Sequence, residues 1–388
     1  MNPLFVKLQE IGGIYATLSE NKLINLLTVA CCILKTRTTC LLKCRDEVGS
    51  ITGERTIKRS TAYKRLIRVF QTGVVRPIHK TVFLLVLHIM HPSMGPYLIL
   101  DRTDFSIGGR WVNLLVMGIE WHGIFIPLVW KDLGKRKSSN LAERLEVLDQ
   151  LLAWWKASGL PLPILQLLGD REFIGKKWIT ALIKRELQFV IRMKSNLRFP
   201  VWFKGQFKDR AVSLKAIERY MKIKCLKKMQ VIVDGTHIVN LMRMPQENPR
   251  DKESFVLLLT TLEDWAQAQK AYRKRWPIEC CFKHMKTNGF NLEDLNLEGQ
   301  HKVDLIFSIL TLVYVLAVQQ GILNHYHQEV KKITYSDGKT GPAESLFRFG
   351  LFFLKQQVQN LKELVQLILV TIDRLLQTFN NQHIIGST

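Results

Sequence analysis

Tyr272-Arg-Lys-Arg-Trp-Pro-Ile-Glu-Cys-Cys-Phe-Lys-His-Met-Lys286 sets one carboxylate among lysines and arginines, and the rest of the chain is read from it. Pro277 fits the first turn of a helix, where its missing N–H has no intrahelical partner to lose. At 3.6 residues per turn Glu279, Lys283 and Lys286 then share one face, with Tyr272 and Arg275 approaching from the preceding segment. A carboxylate among cations can hold a hard metal ion while the cations orient a nucleic-acid backbone. The same charges also suit a solvated, salt-bridged helix face.

Two upstream stretches favour the first reading. Tyr97-Leu-Ile-Leu-Asp101 and Pro163-Ile-Leu-Gln-Leu-Leu-Gly-Asp170 are apolar runs ending in an acid. Acids at the carboxyl ends of buried strands sit where the crevices of open α/β sheets form. Asp101, Asp170 and Glu279 together could bind two divalent metals about 3.5–4 Å apart, an arrangement suited to phosphodiester chemistry.

Tyr272-x2-Arg275-x3-Glu279-x6-Lys286 resembles the signature of the insertion-sequence-four family of DDE transposases, Asp101-Arg-Thr its first acid motif and Asp170-Arg-Glu-Phe its second. The resemblance runs from about Tyr97 to Gly321. It implies a ribonuclease-H-like α/β fold and cut-and-paste transposition of an insertion sequence. Asp101, Asp170 and Glu279 are then the catalytic metal ligands for two Mg2+ ions, with Mn2+ as a substitute. Tyr272, Arg275 and Lys286 are then DNA-phosphate contacts, with Lys283 on the same helix face. Related enzymes can hold a flipped base on an aromatic ring, for which Phe255, Trp202 and Phe203 are the candidates. His284 reads as a surface histidine, and Glu172 as a supporting or capping group rather than a ligand.

The 388 residues exceed one domain's worth, and 47% hydrophobic content suffices for sizeable cores. Lys and Arg number 56 against 33 Asp and Glu, a net charge of +23 with pI near 9.8, which favours a polyanionic partner. An odd cysteine number, seven, and an N-terminus without a signal-like apolar core point to reduced thiols in a cytosol, which the resemblance implies is bacterial, with the protein nucleoid-associated. Cys40 and Cys44, one turn apart without a CxxC pair, read as packing residues. The apolar runs Val82–Met90 and Val303–Val318 fall short of the ~20 residues of a membrane span and read as core, with no membrane partner.

Residues 1–92 read as a helical DNA-binding region. Lys35–Arg68 holds ten Lys/Arg against three acids. In Ser60–Phe70 the apolar positions are Ala62, Leu66, Val69 and Phe70, leaving Lys64, Arg65 and Arg68 for DNA, with Ser60 as N-cap candidate. Residues 97–194 and 255–321 read as two parts of the ribonuclease-H-like domain. The first opens with the meander Tyr97–Asp101, Val112–Ile119 and Gly123–Trp130, and continues with helix Leu141–Lys156, strand Ile164–Leu168, helix Lys177–Leu187 and strand Gln188–Met193.

Between these parts, residues 195–254 read as a basic β-rich insertion. Arg192–Lys228 holds twelve Lys/Arg against two acids, and Asp234-Gly235 suits a type I′ hairpin turn. Residues 322–388 read as a helical C-terminal region, with Thr334–Pro342 a surface loop. Val358, Leu361, Val365, Ile368, Ile372 and Leu375 are spaced as an a/d seam. The seam serves either intramolecular packing or a homodimer that pairs two inverted-repeat ends before insertion into target DNA. A metal-dependent nuclease of the same fold would share the acids without needing a sequence-reading region. A non-catalytic DNA-binding derivative would be expected to have lost an acid.

Overall fold

The computed structural model describes residues 2–11, 18–71, 75–90, 95–203, 206–207, 211–245, 255–325, 331–334, 338 and 340–385. The N-terminal region is helical: α1 (Pro3–Ile11), α2 (Glu20–Thr36), α3 (Leu41–Cys44), α4 (Val48–Thr52), α5 (Arg59–Gln71) and α6 (Val75–Met90). Helix α5 buries Ala62, Leu66, Val69 and Phe70 as its pattern predicts. It begins at Arg59, so Ser60 lies inside the helix and is not its N-cap. Most of the expected Pro92–Pro96 boundary lies outside the described residues.

The meander follows as β1 (Tyr97–Ile107), β2 (Arg110–Trp121) and β3 (Ile124–Asp132). Strand β1 runs six residues beyond Asp101, because Arg102–Ile107 stay paired to β2 as far as the Gly108-Gly109 turn. Asp101 therefore stands within its strand, not at its end. Helix α7 (Leu141–Ala157) starts from a capping box in which Asn140 accepts from the Glu143 N–H. It leads to β4 (Gln166–Gly169), α8 (Lys176–Lys184) and β5 (Gln188–Arg192).

Next come the two-residue strands β6 (Arg198–Phe199), β7 (Trp202–Phe203), β8 (Gln206–Phe207) and β9 (Val212–Ser213), then α9 (Leu214–Ile223). The strands β10 (Lys228–Val233), β11 (His237–Pro245) and β12 (Phe255–Thr260) complete one sheet of eight. Its order is β10-β11-β12-β5-β4-β1-β2-β3. β1, β4 and β5 run parallel and the remaining pairs antiparallel. The β3-β2-β1-β4-β5 half is the ribonuclease-H-like sheet that the sequence predicts. Its strand β2 is buried without alternation from Val112 to Trp121, as a sheet covered on both faces requires.

The basic segment's hairpin extends this same sheet through β12. Asp234 (φ 55°) and Gly235 (φ 73°) supply the two left-handed positions, in a three-residue loop rather than the two-residue turn expected.

After the sheet come α10 (Trp265–Arg273), α11 (Pro277–Lys283), a π-turn over His284–Asn288, and α12 (Gln300–His325). At 26 residues α12 is long and apolar enough to cross a membrane, longer than the Val303–Val318 run implies. In the fold 89% of its most apolar window is buried, against α6, α13, β3 and α2, as a helix apolar all round requires. The expected loop at 334–342 includes short paired strands, β13 (Lys332–Thr334) and β14 (Thr340–Pro342).

Helices α13 (Leu346–Gln357) and α14 (Leu361–Ile385) end the chain, separated by an extended Val358. Val358, Val365, Ile368 and Ile372 are buried in the common core, so the heptad seam packs intramolecularly; the Leu375 side chain lies outside the described residues.

The N-terminal helices belong to that core as well. Thr38 Oγ1 donates to Asp294 Oδ2 (2.7 Å), Thr39 Oγ1 to the Asn291 carbonyl (3.0 Å), and the Leu41 N–H to Asn296 Oδ1 (2.9 Å). All seven cysteines are free thiols; Cys44 is buried and Cys40 half-buried, as packing residues would be.

Candidate active site

Parallel register brings the first two acids together. Leu100 is paired with Gly169 on the last rung between β1 and β4, strands about 4.8 Å apart, so Asp101 and Asp170 each follow that rung by one residue, close enough for Asp170 to act on the Asp101 charge. Each carboxylate is oriented by its own backbone: Asp101 Oδ1 accepts from the Arg102 N–H (2.8 Å) and Asp170 Oδ1 from the Arg171 N–H (2.7 Å).

The third acid comes from α11, which opens with Pro277 in its first turn. Buried Ile278, Cys281 and Phe282 dock that helix on β3 and β1 and leave Glu279 facing the other two acids. Between them stands Arg275, in the short link joining α10 to α11. Its guanidinium donates to Asp101 Oδ2 (3.1 Å) and, one helical turn away, to Glu279 Oε1 (2.6 Å). Tyr272, buried at the end of α10, hydrogen-bonds Arg275, and burial pushes its phenol pKa up.

Burial pushes the Asp101 carboxyl up to about 6; Arg275 and the Arg102 N–H pull it down, and Asp170 and Glu279 add repulsion. Burial disfavours the charge of Arg275, but the phenolate that Tyr272 becomes only at high pH, the carboxylates of Asp101 and Asp170 and the hydrogen bond to Glu279 outweigh it and raise its pKa. Three oxygen-donor groups crowding one cation form a hard, anionic set suited to divalent ions. Among the described residues the acids do not close into a metal-ligand cluster; the guanidinium stands where a shared cation would. A protonated carboxyl is a far weaker ligand for a cation than an ionised one. Activity that depends on Asp101 is therefore expected to fall as pH drops through about 6, which a pH–rate profile checks.

The remaining candidates disperse. Lys286 leaves the acids: beyond α11 the helix passes into a π-turn, and Lys286 Nζ donates to the Asp104 carbonyl (2.6 Å). Partial burial lowers its pKa. Lys283 is exposed on the same stretch. His284 is not on the surface as the sequence suggested. It is buried against Phe347 (4.5 Å between rings), its Nδ1 lies 3.3 Å from the Tyr314 hydroxyl, and burial lowers its pKa to about 4. Phe255 lies under the Arg243 guanidinium (3.1 Å), while the side chains of Trp202 and Phe203 lie outside the described residues. On α5, Lys64 and Arg68 are exposed and Arg65 pairs with Glu54 (2.7 Å), far along the chain from the acids.

A buttress behind Asp170 escapes a motif reading. Glu172 pairs with Arg102, whose Nη1 also donates to Asn113 Oδ1 (3.0 Å). Buried Arg144 of α7 donates to the carbonyls of Glu172 (3.2 Å), Ile174 (3.1 Å) and Ser139 (2.8 Å) and lies over the Phe173 ring. The one sequence signal was an arginine on the helix's apolar stripe, three residues after Leu141 and before Val147. Arg144→Met is expected to cost about 3 kcal/mol by orphaning buried carbonyls, read from the urea midpoint. Arg144→Lys should recover only part of it, because an ammonium lacks the planar fork.

Among solved structures the fold is similar to that of a piggyBac transposase in a synaptic complex with hairpin DNA, seen by cryo-EM. That likeness covers 92% of this chain and 76% of the other, at 12% identity and a TM-score of 0.46. No curated protein sequence matches. The family model described as "Transposase DDE domain" matches residues 93–316, which include Asp101, Asp170, Arg275 and Glu279. Over more than half its length the chain matches that model, and it belongs to the family of transposase DDE domains.

Proposed function

We propose that the protein is a cut-and-paste transposase of the insertion-sequence-four type, with Asp101, Asp170 and Glu279 holding two Mg2+ ions, for which Mn2+ can substitute. The observation that carries this reading is that Arg275 bridges Asp101 and Glu279, from separate parts of the chain, with Asp170 near enough to act on its charge. When bound, such ions supply the Lewis acidity for in-line attack on a phosphodiester by water and then by a 3′-hydroxyl.

The chain's own contribution is placement. The parallel β1–β4 register fixes two carboxylates at one level, and α11 carries the third across to them. Arg275, with Tyr272 behind it, offers a planar fork to a phosphate beside the scissile bond. Lys286 and Lys283 continue the cationic edge, and Lys64, Arg65 and Arg68 on α5 hold the element's inverted-repeat ends. A homodimer pairs two ends on DNA. The buried C-terminal seam argues that its contacts come from other surfaces.

The test is gel-shift and strand-cleavage assays on duplexes carrying the repeats that flank the coding sequence. Cleavage should require Mg2+ or Mn2+, stop in chelator, and proceed to strand transfer; cutting without transfer would favour a nuclease. Binding should weaken by about 10³-fold or more between roughly 50 and 200 mM salt, since each neutralised phosphate contributes a log–log slope of about −0.9. Replacing Lys64, Arg65 and Arg68 together with Ala in the full chain should lower end affinity at least about tenfold. Unchanged affinity would remove α5 from recognition.

A further inference from the structure

The guanidinium of Arg275 is bonded to two of the three acids proposed to take metal, at 3.1 Å to Asp101 and 2.6 Å to Glu279. Its side chain is 11% exposed, so water screens the contact with Asp101, itself 21% exposed, little, and that with Glu279, 40% exposed, more. Side-chain arginine is not deprotonated in proteins, so the site cannot shed this charge by losing a proton from Arg275. Two divalent ions and a guanidinium cannot share one cluster of carboxylates without strong like-charge repulsion. One must leave when the other enters.

The backbone permits the exchange. Arg275 lies in the link between α10 and α11, so its side chain can turn without breaking either helix. Neighbouring Lys274 pins that link to Glu120 at 3.0 Å.

We propose, resting on the metal-site reading above, that Arg275 is an internal counter-cation: it neutralises Asp101 and Glu279 before metal arrives, and yields them to metal when a DNA phosphate accepts its fork. Metal and DNA end then bind cooperatively through one side chain. Coupling between two ligands is reciprocal, so the DNA end must tighten metal binding by the same factor as metal tightens DNA. A phosphate offers the guanidinium the same bidentate geometry as a carboxylate, which lets one fork serve both partners.

The experiment titrates Mn2+ into the full-length protein, with free Mn2+ read by electron paramagnetic resonance. The wild type, Arg275→Gln, Arg275→Lys and Asp101→Asn are compared, each alone and with a duplex of the terminal repeat. Without DNA, Arg275→Gln should bind Mn2+ about tenfold more tightly than wild type, because the competing cation is gone. Arg275→Lys should fall between them. The duplex should tighten Mn2+ binding about tenfold in wild type and less than about twofold in Arg275→Gln.

Equal Mn2+ affinity in wild type and Arg275→Gln, with equal coupling to DNA, would overturn the counter-cation role. Should the Gln variant fail to fold, the Lys variant decides alone: Mn2+ affinity and coupling equal to wild type would overturn the role. Asp101→Asn separates this failure from that of the underlying reading. If it loses Mn2+ while the Arg275 variants behave as wild type, the metal site stands and the exchange does not. If it binds Mn2+ normally, the metal-site reading itself fails.

Discussion

Glu279→Gln should leave a folded protein that holds terminal DNA but cleaves it at least about 10³-fold more slowly, a loss of about 4 kcal/mol of transition-state stabilisation. The substitution keeps size and shape and removes only the charge. Of the two acids that Arg275 bridges Glu279 is the more open, 40% exposed against 21% for Asp101, so its loss costs the fold little. The side chain's contact with Arg275 is one a neutral amide can still accept. Asp101→Asn and Asp170→Asn should behave alike, since each removes one anionic donor from the same set. Cleavage is read on denaturing gels and binding by gel shift. Cleavage by Glu279→Gln at the wild-type rate would take Glu279 out of the reaction.

Gly350→Ala should destabilise the fold by about 3 kcal/mol or more, because helices α12 and α13 meet backbone to backbone at that point. A Cβ on Gly350 would stand 1.8 Å from the Ala317 carbonyl oxygen and 2.3 Å from the Gly321 amide nitrogen. The contact is mutual: a Cβ on Gly321 would stand 2.1 Å from the Leu346 carbonyl oxygen. Neither obstacle is a side chain that could rotate away, so α13 would have to move off α12 and take Phe347, Leu351 and Leu354 out of the core. Phe352→Ala on the outer face of α13, where the ring is 58% exposed, should change the unfolding free energy read from urea titration by less than about 0.5 kcal/mol. Equal midpoints for Gly350→Ala and wild type would contradict this helix pairing.

Local signals were legible where the deciding physics is local. Pro277 marks the start of α11, the meander follows from β-rich runs with short turns, and α5 buries the face its periodicity assigns. Asp101 and Asp170 could be singled out because each follows an apolar run that the sheet buries.

What depends on tertiary partners was not legible. The extension of β1 beyond Asp101 alternates Arg102, Asp104 and Ser106 with buried Thr103, Phe105 and Ile107, and its length is set by the pairing with β2. The heptad spacing of Val365, Ile368 and Ile372 suits a partner helix in another protomer as well as a core, and packing chose the core. His284 looked solvated among lysines, yet the π-turn and Phe347 enclose it. Periodicity placed Lys286 with Glu279, whereas the π-turn carries it to the Asp104 carbonyl. The position of Arg275 between Asp101 and Glu279 is a meeting of side chains from a strand and a distant helix link, which spacing along the chain does not encode.

Diffraction from crystals soaked in Mn2+ with terminal DNA, recorded at the manganese absorption edge, tests the metal site most directly. Anomalous density is expected within coordinating reach of Asp101, Asp170 and Glu279, with the Arg275 guanidinium turned away from the first and last of these. Manganese bound elsewhere, with Arg275 still bridging Asp101 and Glu279 beside the DNA, would contradict it.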